Sequence, residues 1–126
     1  MDSKYHFRFE DLQIYQKAID FGELINVLTK KIPRDERFEL TSQFKRASDS
    51  IALNIAEGSA GTDSQFYNYL GNSWYSTNEC VSCGTKAYLR KYISNEESEE
   101  IRKQCFELSK MISILRAKIK LRMTKK

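Results

Sequence analysis

Residues 94–119 read SNEESEEIRKQCFELSKMISILRAKI. Within them Ile101, Cys105, Leu108, Ile112, Leu115 and Ile119 recur in alternating steps of four and three, the period that places apolar side chains on one stripe of an α-helix. Ser94 and Glu97 head the stretch as a Ser-x-x-Glu capping box, whose hydroxyl and carboxylate each satisfy a free backbone N–H. The pattern predicts a helix of roughly 35 Å at the standard rise.

The same reading holds upstream. From about Asp63 to Tyr92 two adjacent heptad series run side by side, Phe66, Ser73, Cys80, Ala87 and Tyr67, Trp74, Val81, Tyr88, and Leu70, Thr77 and Gly84 widen the face further. A single amphipathic stripe needs only about 100°, so this breadth predicts contact on two sides, one of them a second subunit. Thr62 or Asp63 is the expected cap, after the polar loop Gly58-Ser59-Ala60-Gly61-Thr62. A second helix carries Leu40, Phe44, Ala47, Ile51 and Ile55, with Asp35 as its expected N-cap and Gly58 as its C-terminal stop. A first helix, from about Phe9 to Ile32, carries Ile14, Ala18, Phe21, Ile25, Leu28 and Ile32 and is stopped by Pro33.

Four helices joined by short loops bury four stripes most economically as an all-α, antiparallel up-down-up-down four-helix bundle. Residues 9–122 form that domain, between an N-terminal extension (1–8) and a basic tail (123–126). With 126 residues there is room for one domain, and 40% hydrophobic with 30% charged residues, one Pro and five Gly fit a helix-rich globule. Apolar runs stay far short of a membrane span, and the charged N-terminus has no signal-peptide core. Three cysteines, an odd number at low density, suit a reducing compartment. A cytoplasmic protein without a membrane partner is expected.

No catalytic, metal or cofactor site is predicted. A di-iron bundle requires inward Glu-x-x-His pairs, and the lone histidine, His6, precedes the first helix. Cys80 and Cys83 form a C-x-x-C in mid-helix, away from the helix N-terminus that would activate a thiol, and with Cys105 they lack a fourth zinc ligand. No Gly-rich phosphate loop or nucleophile elbow is present in the sequence.

Arg46, Ser50, Asn54 and Glu57 lie along one side of the second helix, beside its apolar stripe. They read as a hydrogen-bonded network that sets register or subunit geometry, the alternative being a ligand pocket that uses Arg46 and Glu57. From Lys110 onward there are seven cations and no acid, so that segment carries +7 of a chain whose net charge is +4 and the remainder is −3. Multiplied by oligomerisation, the tail would form a phosphate-backbone footprint with little base specificity, resting on Lys118, Lys120, Arg122, Lys125 and Lys126. A protein–protein scaffold whose tail only aids solubility is the alternative from another class. Tyr67, Tyr69, Trp74, Tyr75 and Tyr92 could stack on bases, but packing is the simpler role for most of them.

The stretch LTSQFKRASDSIALNIAEG, residues 40–58, resembles the signature of the bacterial four-helix bundle proteins encoded in 23S rRNA intervening sequences, at Gln43, Arg46-Ala47, Ser50-Ile51 and Asn54 to Gly58. The likeness extends from Phe9-Glu10-Asp11-Leu12 through Phe66 and Leu70 to Ser76-x-x-Glu79, and departs at Ser73 and Tyr75. It implies a left-handed antiparallel bundle that assembles into a homopentamer, without known catalytic activity. Gln43, Arg46, Ser50, Asn54, Glu57, Gly58 and Glu79 would then be structural. A related branch, the accessory proteins of diversity-generating retroelements, implies RNA or DNA and a reverse transcriptase as partners.

Overall fold

The computed structural model describes residues 1–125, and among them there are four α-helices and no strand. The helices are α1 (Gln13–Leu28), α2 (Ser42–Ser59), α3 (Asp63–Leu89) and α4 (Asn95–Thr124). α2 packs against both α1 and α3, α3 packs against α4, and α1 also touches α4. Every member of the α1 and α2 stripes predicted above is buried, and so are Ile101, Cys105, Leu108, Ile112 and Ile119 of α4. Leu115 is half-buried against the same core. In α3, Ser73, Cys80 and Ala87 are buried with Leu70, Thr77 and Gly84, whereas Tyr67, Trp74 and Val81 are half-buried and Tyr88 is exposed. One chain therefore uses one edge of the wide α3 face and leaves the other edge partly open.

Two of the three predicted caps close the helices they precede, Ser94 and, of the pair Thr62 or Asp63, Thr62. Thr62 Oγ1 accepts the Gln65 N–H at 3.2 Å while the Gln65 side chain accepts the Thr62 N–H at 2.9 Å. Ser94 and Glu97 repeat that reciprocal arrangement at the start of α4, at 3.1 and 2.8 Å.

Three local expectations are corrected. The first helix does not run unbroken from Phe9 to Ile32: Leu12 is extended (φ −69, ψ 122) between a 3-10 turn at Arg8–Asp11 and α1. Glu10 holds that turn closed by accepting the Phe7 N–H at 2.9 Å, and its carbonyl accepts from the Gln16 side chain at 2.8 Å. At the far end the buried Thr29 hydroxyl donates to the Ile25 carbonyl at 2.8 Å, and the last turn tightens into 3-10 geometry.

Asp35 does not cap the second helix. Extended Pro33 opens a 3-10 turn at Arg34–Glu36 that contains Asp35, and a π-helical segment at Arg37–Thr41 carries Leu40 into the core before α2 begins. The neighbouring Glu36 carboxylate is drawn across to the end of α3, where it accepts from Arg90 at 2.7 Å and Tyr92 at 3.0 Å.

Gly58 is not a left-handed helix stop, because no glycine has positive φ among the described residues and α2 continues to Ser59. Its requirement is steric: a Cβ there would lie 2.5 Å from Tyr69 Cβ and 3.1 Å from Phe66 Cδ1. Close approach of α2 and α3, not chain reversal, selects glycine. The left-handed residue that turns the chain is Lys91, φ 64, after α3, where the Tyr92 N–H reaches the Ala87 carbonyl at 2.9 Å. Among the described residues no helix is long and apolar enough to cross a membrane.

Candidate functional site

The polar residues of α2 meet α3 along a seam. Gln43 donates to the Glu79 carboxylate at 3.3 Å, and the Ser50 and Ser76 hydroxyls are 2.7 Å apart. Asn54 turns its amide back along α2, donating to the Ser50 carbonyl at 2.8 Å and to the Ser50 hydroxyl at 3.0 Å. Beneath them buried Ser73 donates to the Ile51 carbonyl at 2.9 Å, and buried Thr77 donates to the Ser73 carbonyl at 2.8 Å. Every buried side-chain nitrogen or oxygen among the described residues has a hydrogen-bond partner, so the seam leaves no buried donor or acceptor unpaired. A slide of one helix along the other would break the three contacts that cross between them, Gln43–Glu79, Ser50–Ser76 and Ser73–Ile51, together.

Arg46 and Glu57 take no part in it. Both are exposed, and neither makes an ion pair or side-chain hydrogen bond with another described residue. Eleven residues apart on one helix, they are separated by about 16 Å of helical rise, too far to close on one small ligand. The seam partners Ser73 and Ser76 carried only a weak signal in sequence, because hydroxyls at helical positions fit a solvent face equally well.

The cations of α4 divide into two groups. Arg122 makes a two-pronged pair with Asp63 at 3.1 and 2.8 Å, which raises the guanidinium pKa through that hydrogen bond and the attraction behind it. Arg116 lies 4.0 Å from the centre of the Tyr67 ring, donates to the Tyr67 carbonyl at 3.1 Å and packs over Gly71. By contrast Lys118, Lys120 and Lys125 are exposed with no ion pair among the described residues. Lys126 lies outside the described residues.

The three thiols are buried. Burial raises Cys83 to about 11 and Cys105 to about 12, and it raises Cys80 further, helped by Cys105 and Cys83. All three stay protonated at neutral pH, the opposite of an activated nucleophile. His6 is exposed, with Nε2 3.0 Å from the Asp11 carboxylate, and the hydrogen bond to Asp11 raises its pKa. Among the described residues no three His, Cys, Asp or Glu side chains are grouped to hold a metal. Of the aromatic residues, Tyr67 is engaged by Arg116 and Tyr92 by Glu36, whereas Tyr75 stands exposed beside Trp74, ring centres 5.7 Å apart.

A helical protein with a polar α2–α3 seam and a basic α4 end is the class that these features define. A family model described as 23S rRNA-intervening sequence protein matches residues 10–114, and the chain belongs to that family. The matched span contains the whole seam and stops short of Lys118. The fold is similar to the crystal structure of a protein with unknown function from the S23 ribosomal protein family of Bacteroides thetaiotaomicron VPI-5482. The TM-score is 0.75 at 24% identity, over 81% of this chain and 96% of that one. No curated protein matches the chain.

Proposed function

We propose that this member of the intervening-sequence family is a non-enzymatic, homo-oligomeric adaptor that associates with nucleic acid in the cytoplasm. The observation that carries the reading is the set of exposed, unpaired cations Lys118, Lys120 and Lys125 at the end of α4. Such charges bind a phosphate backbone by counterion release, and several copies on one rim would add their fields. Protonated, buried thiols and a distant exposed imidazole favour binding over catalysis.

The bundle we propose is antiparallel, up-down-up-down. Support comes from the order of contacts between α1 and α4: Lys17 reaches Glu107 at 2.6 Å, and Lys31, past the end of α1, reaches Glu97 near the start of α4. The pentamer is carried over from the family resemblance, and the exposed outer edge of α3, with Tyr75 and Tyr88, is compatible with it. A reverse transcriptase of a diversity-generating retroelement is the protein partner that the same resemblance suggests.

Because Ile119 is fully buried, shortening the chain to Ala117 would damage the core, and substitution is the sounder test. Lys118→Gln, Lys120→Gln and Lys125→Gln together should weaken binding to labelled RNA in fluorescence anisotropy and flatten its dependence on salt. Unchanged affinity and salt slope would remove the tail from the interface. The scaffold reading draws on Phe106 and Leu121, exposed apolar residues of α4. Partner binding insensitive to salt and to these substitutions would favour it.

A further inference from the structure

The connection between α1 and α2 holds a second concentration of charge. A depression of about 270 Å³ is lined by Lys30, Arg34, Arg37 and Lys45, with Thr41 and Asn26 among its neutral lining groups and no carboxylate in its wall. The cations come from successive pieces of chain: the 3-10 turn after α1, the turn after Pro33, the π-helical segment and the first turns of α2. None makes an ion pair with another described residue. Glu36 is engaged by Arg90 and Tyr92, and Glu97 by Lys31. Asp35 and Glu39 lie in the same connection without lining the depression. Four like charges around one concavity repel one another, and an anion placed among them relieves that repulsion.

Beside the depression Arg37 lies 4.6 Å from the centre of the Phe38 ring, and that ring is 82% exposed. The depression is smaller than a usual small-molecule pocket of about 300–1,000 Å³, so it suits a phosphate group whose remaining ligand lies across the open surface. An exposed ring next to a cationic hollow can stack an unpaired base, and bases held inside a duplex cannot reach it.

We infer that the α1–α2 connection binds the phosphodiester backbone of single-stranded nucleic acid, with Lys30, Arg34, Arg37 and Lys45 around a phosphate and Phe38 stacking an adjacent base. The inference rests on the nucleic-acid reading above and names a contact surface that reading lacks, at the opposite end of α4 from the lysine tail, as the Lys31–Glu97 pair indicates.

The test is fluorescence anisotropy with fluorescein-labelled oligouridylate and the full chain, with circular dichroism to verify folding. Arg34→Ala with Arg37→Ala should lower affinity about tenfold or more and reduce the salt slope by about one for each phosphate that is no longer neutralised. Phe38→Ala should weaken binding severalfold at an unchanged salt slope, a signature that removal of charge does not produce. The inference falls if the double variant binds as tightly as the parent, whatever the tail substitutions do. If the double variant binds like the parent while the tail substitutions abolish binding, the adaptor reading stands without this site. If the parent chain does not bind oligouridylate or labelled RNA at low salt, both fall.

Discussion

The two faces of α2 obey different rules. On one, Leu40 leads in from the π-helical segment and Phe44, Ala47, Ile51 and Ile55 follow, none more than 3% exposed. On the other, Gln43, Arg46, Ser50, Asn54 and Glu57 recur with the same spacing, yet only Gln43, Ser50 and Asn54 find hydrogen-bond partners within the described chain. Burial of an apolar side chain needs only that something apolar lies opposite. A polar side chain needs one donor or acceptor within about 3 Å, and that depends on which residue the neighbouring helix presents. Periodicity thus sorts the first face completely and the second only into candidates.

The largest effect separating the faces should come from Ile51→Asp. Ile51 is fully buried, and the Ser73 hydroxyl beside it already donates to the Ile51 carbonyl, so the charge would be desolvated without a partner. A loss of about 4 kcal/mol or more is expected, comparable to the whole stability of a small domain. Urea unfolding followed by circular dichroism should find the variant unfolded or nearly so. A cooperative transition at the parent midpoint would show that the core face is wrongly assigned.

A smaller loss is expected for Gly58→Ala, where α2 lies close against α3. The new Cβ would collide with Tyr69 Cβ, which cannot swing away as a flexible side-chain end could. Overpacking of about 1–3 kcal/mol should exceed the roughly 1 kcal/mol of helix propensity that alanine restores. A higher melting temperature for this variant would instead reinstate a conformational role for the glycine.

The smallest difference lies within the polar face itself. Asn54→Ala removes two hydrogen bonds to Ser50 and should cost about 1 kcal/mol, whereas Arg46→Ala should change the stability of the single chain by less than about 0.5 kcal/mol. Thermal denaturation of the two variants side by side measures the contrast. Equal losses would mean that Arg46 has a partner within the chain after all.

The site was less legible than the fold. Gln43 and Glu79, both part of the signature, do meet, but Ser76 as the partner of Ser50 required knowledge of how α3 lies against α2. The cations illustrate the same limit. Arg122 and Lys120 look alike as letters, yet one is paired with Asp63 and the other is free among the described residues. Lys30, Arg34, Arg37 and Lys45 are spread over sixteen residues and interrupted by acids, so no run or period marks them. They converge because Pro33 and the turns around it fold the connection over.

By itself the sequence determined the four helices, their apolar stripes and the cap at Ser94, and narrowed the cap of α3 to Thr62 or Asp63, because these depend on spacing within one turn or one heptad. It also placed Cys80 and Cys105 in the core, since they fall on the apolar stripes of α3 and α4. Only the tertiary structure decided why Gly58 is glycine, how the 3-10 and π-helical turns replace the ends of two predicted helices, and which cations keep their charge free. The glycine and the cations depend on atoms from another segment, whose proximity of a few ångströms leaves no periodic trace in sequence, and the 3-10 turns rest on single local hydrogen bonds, which leave none either.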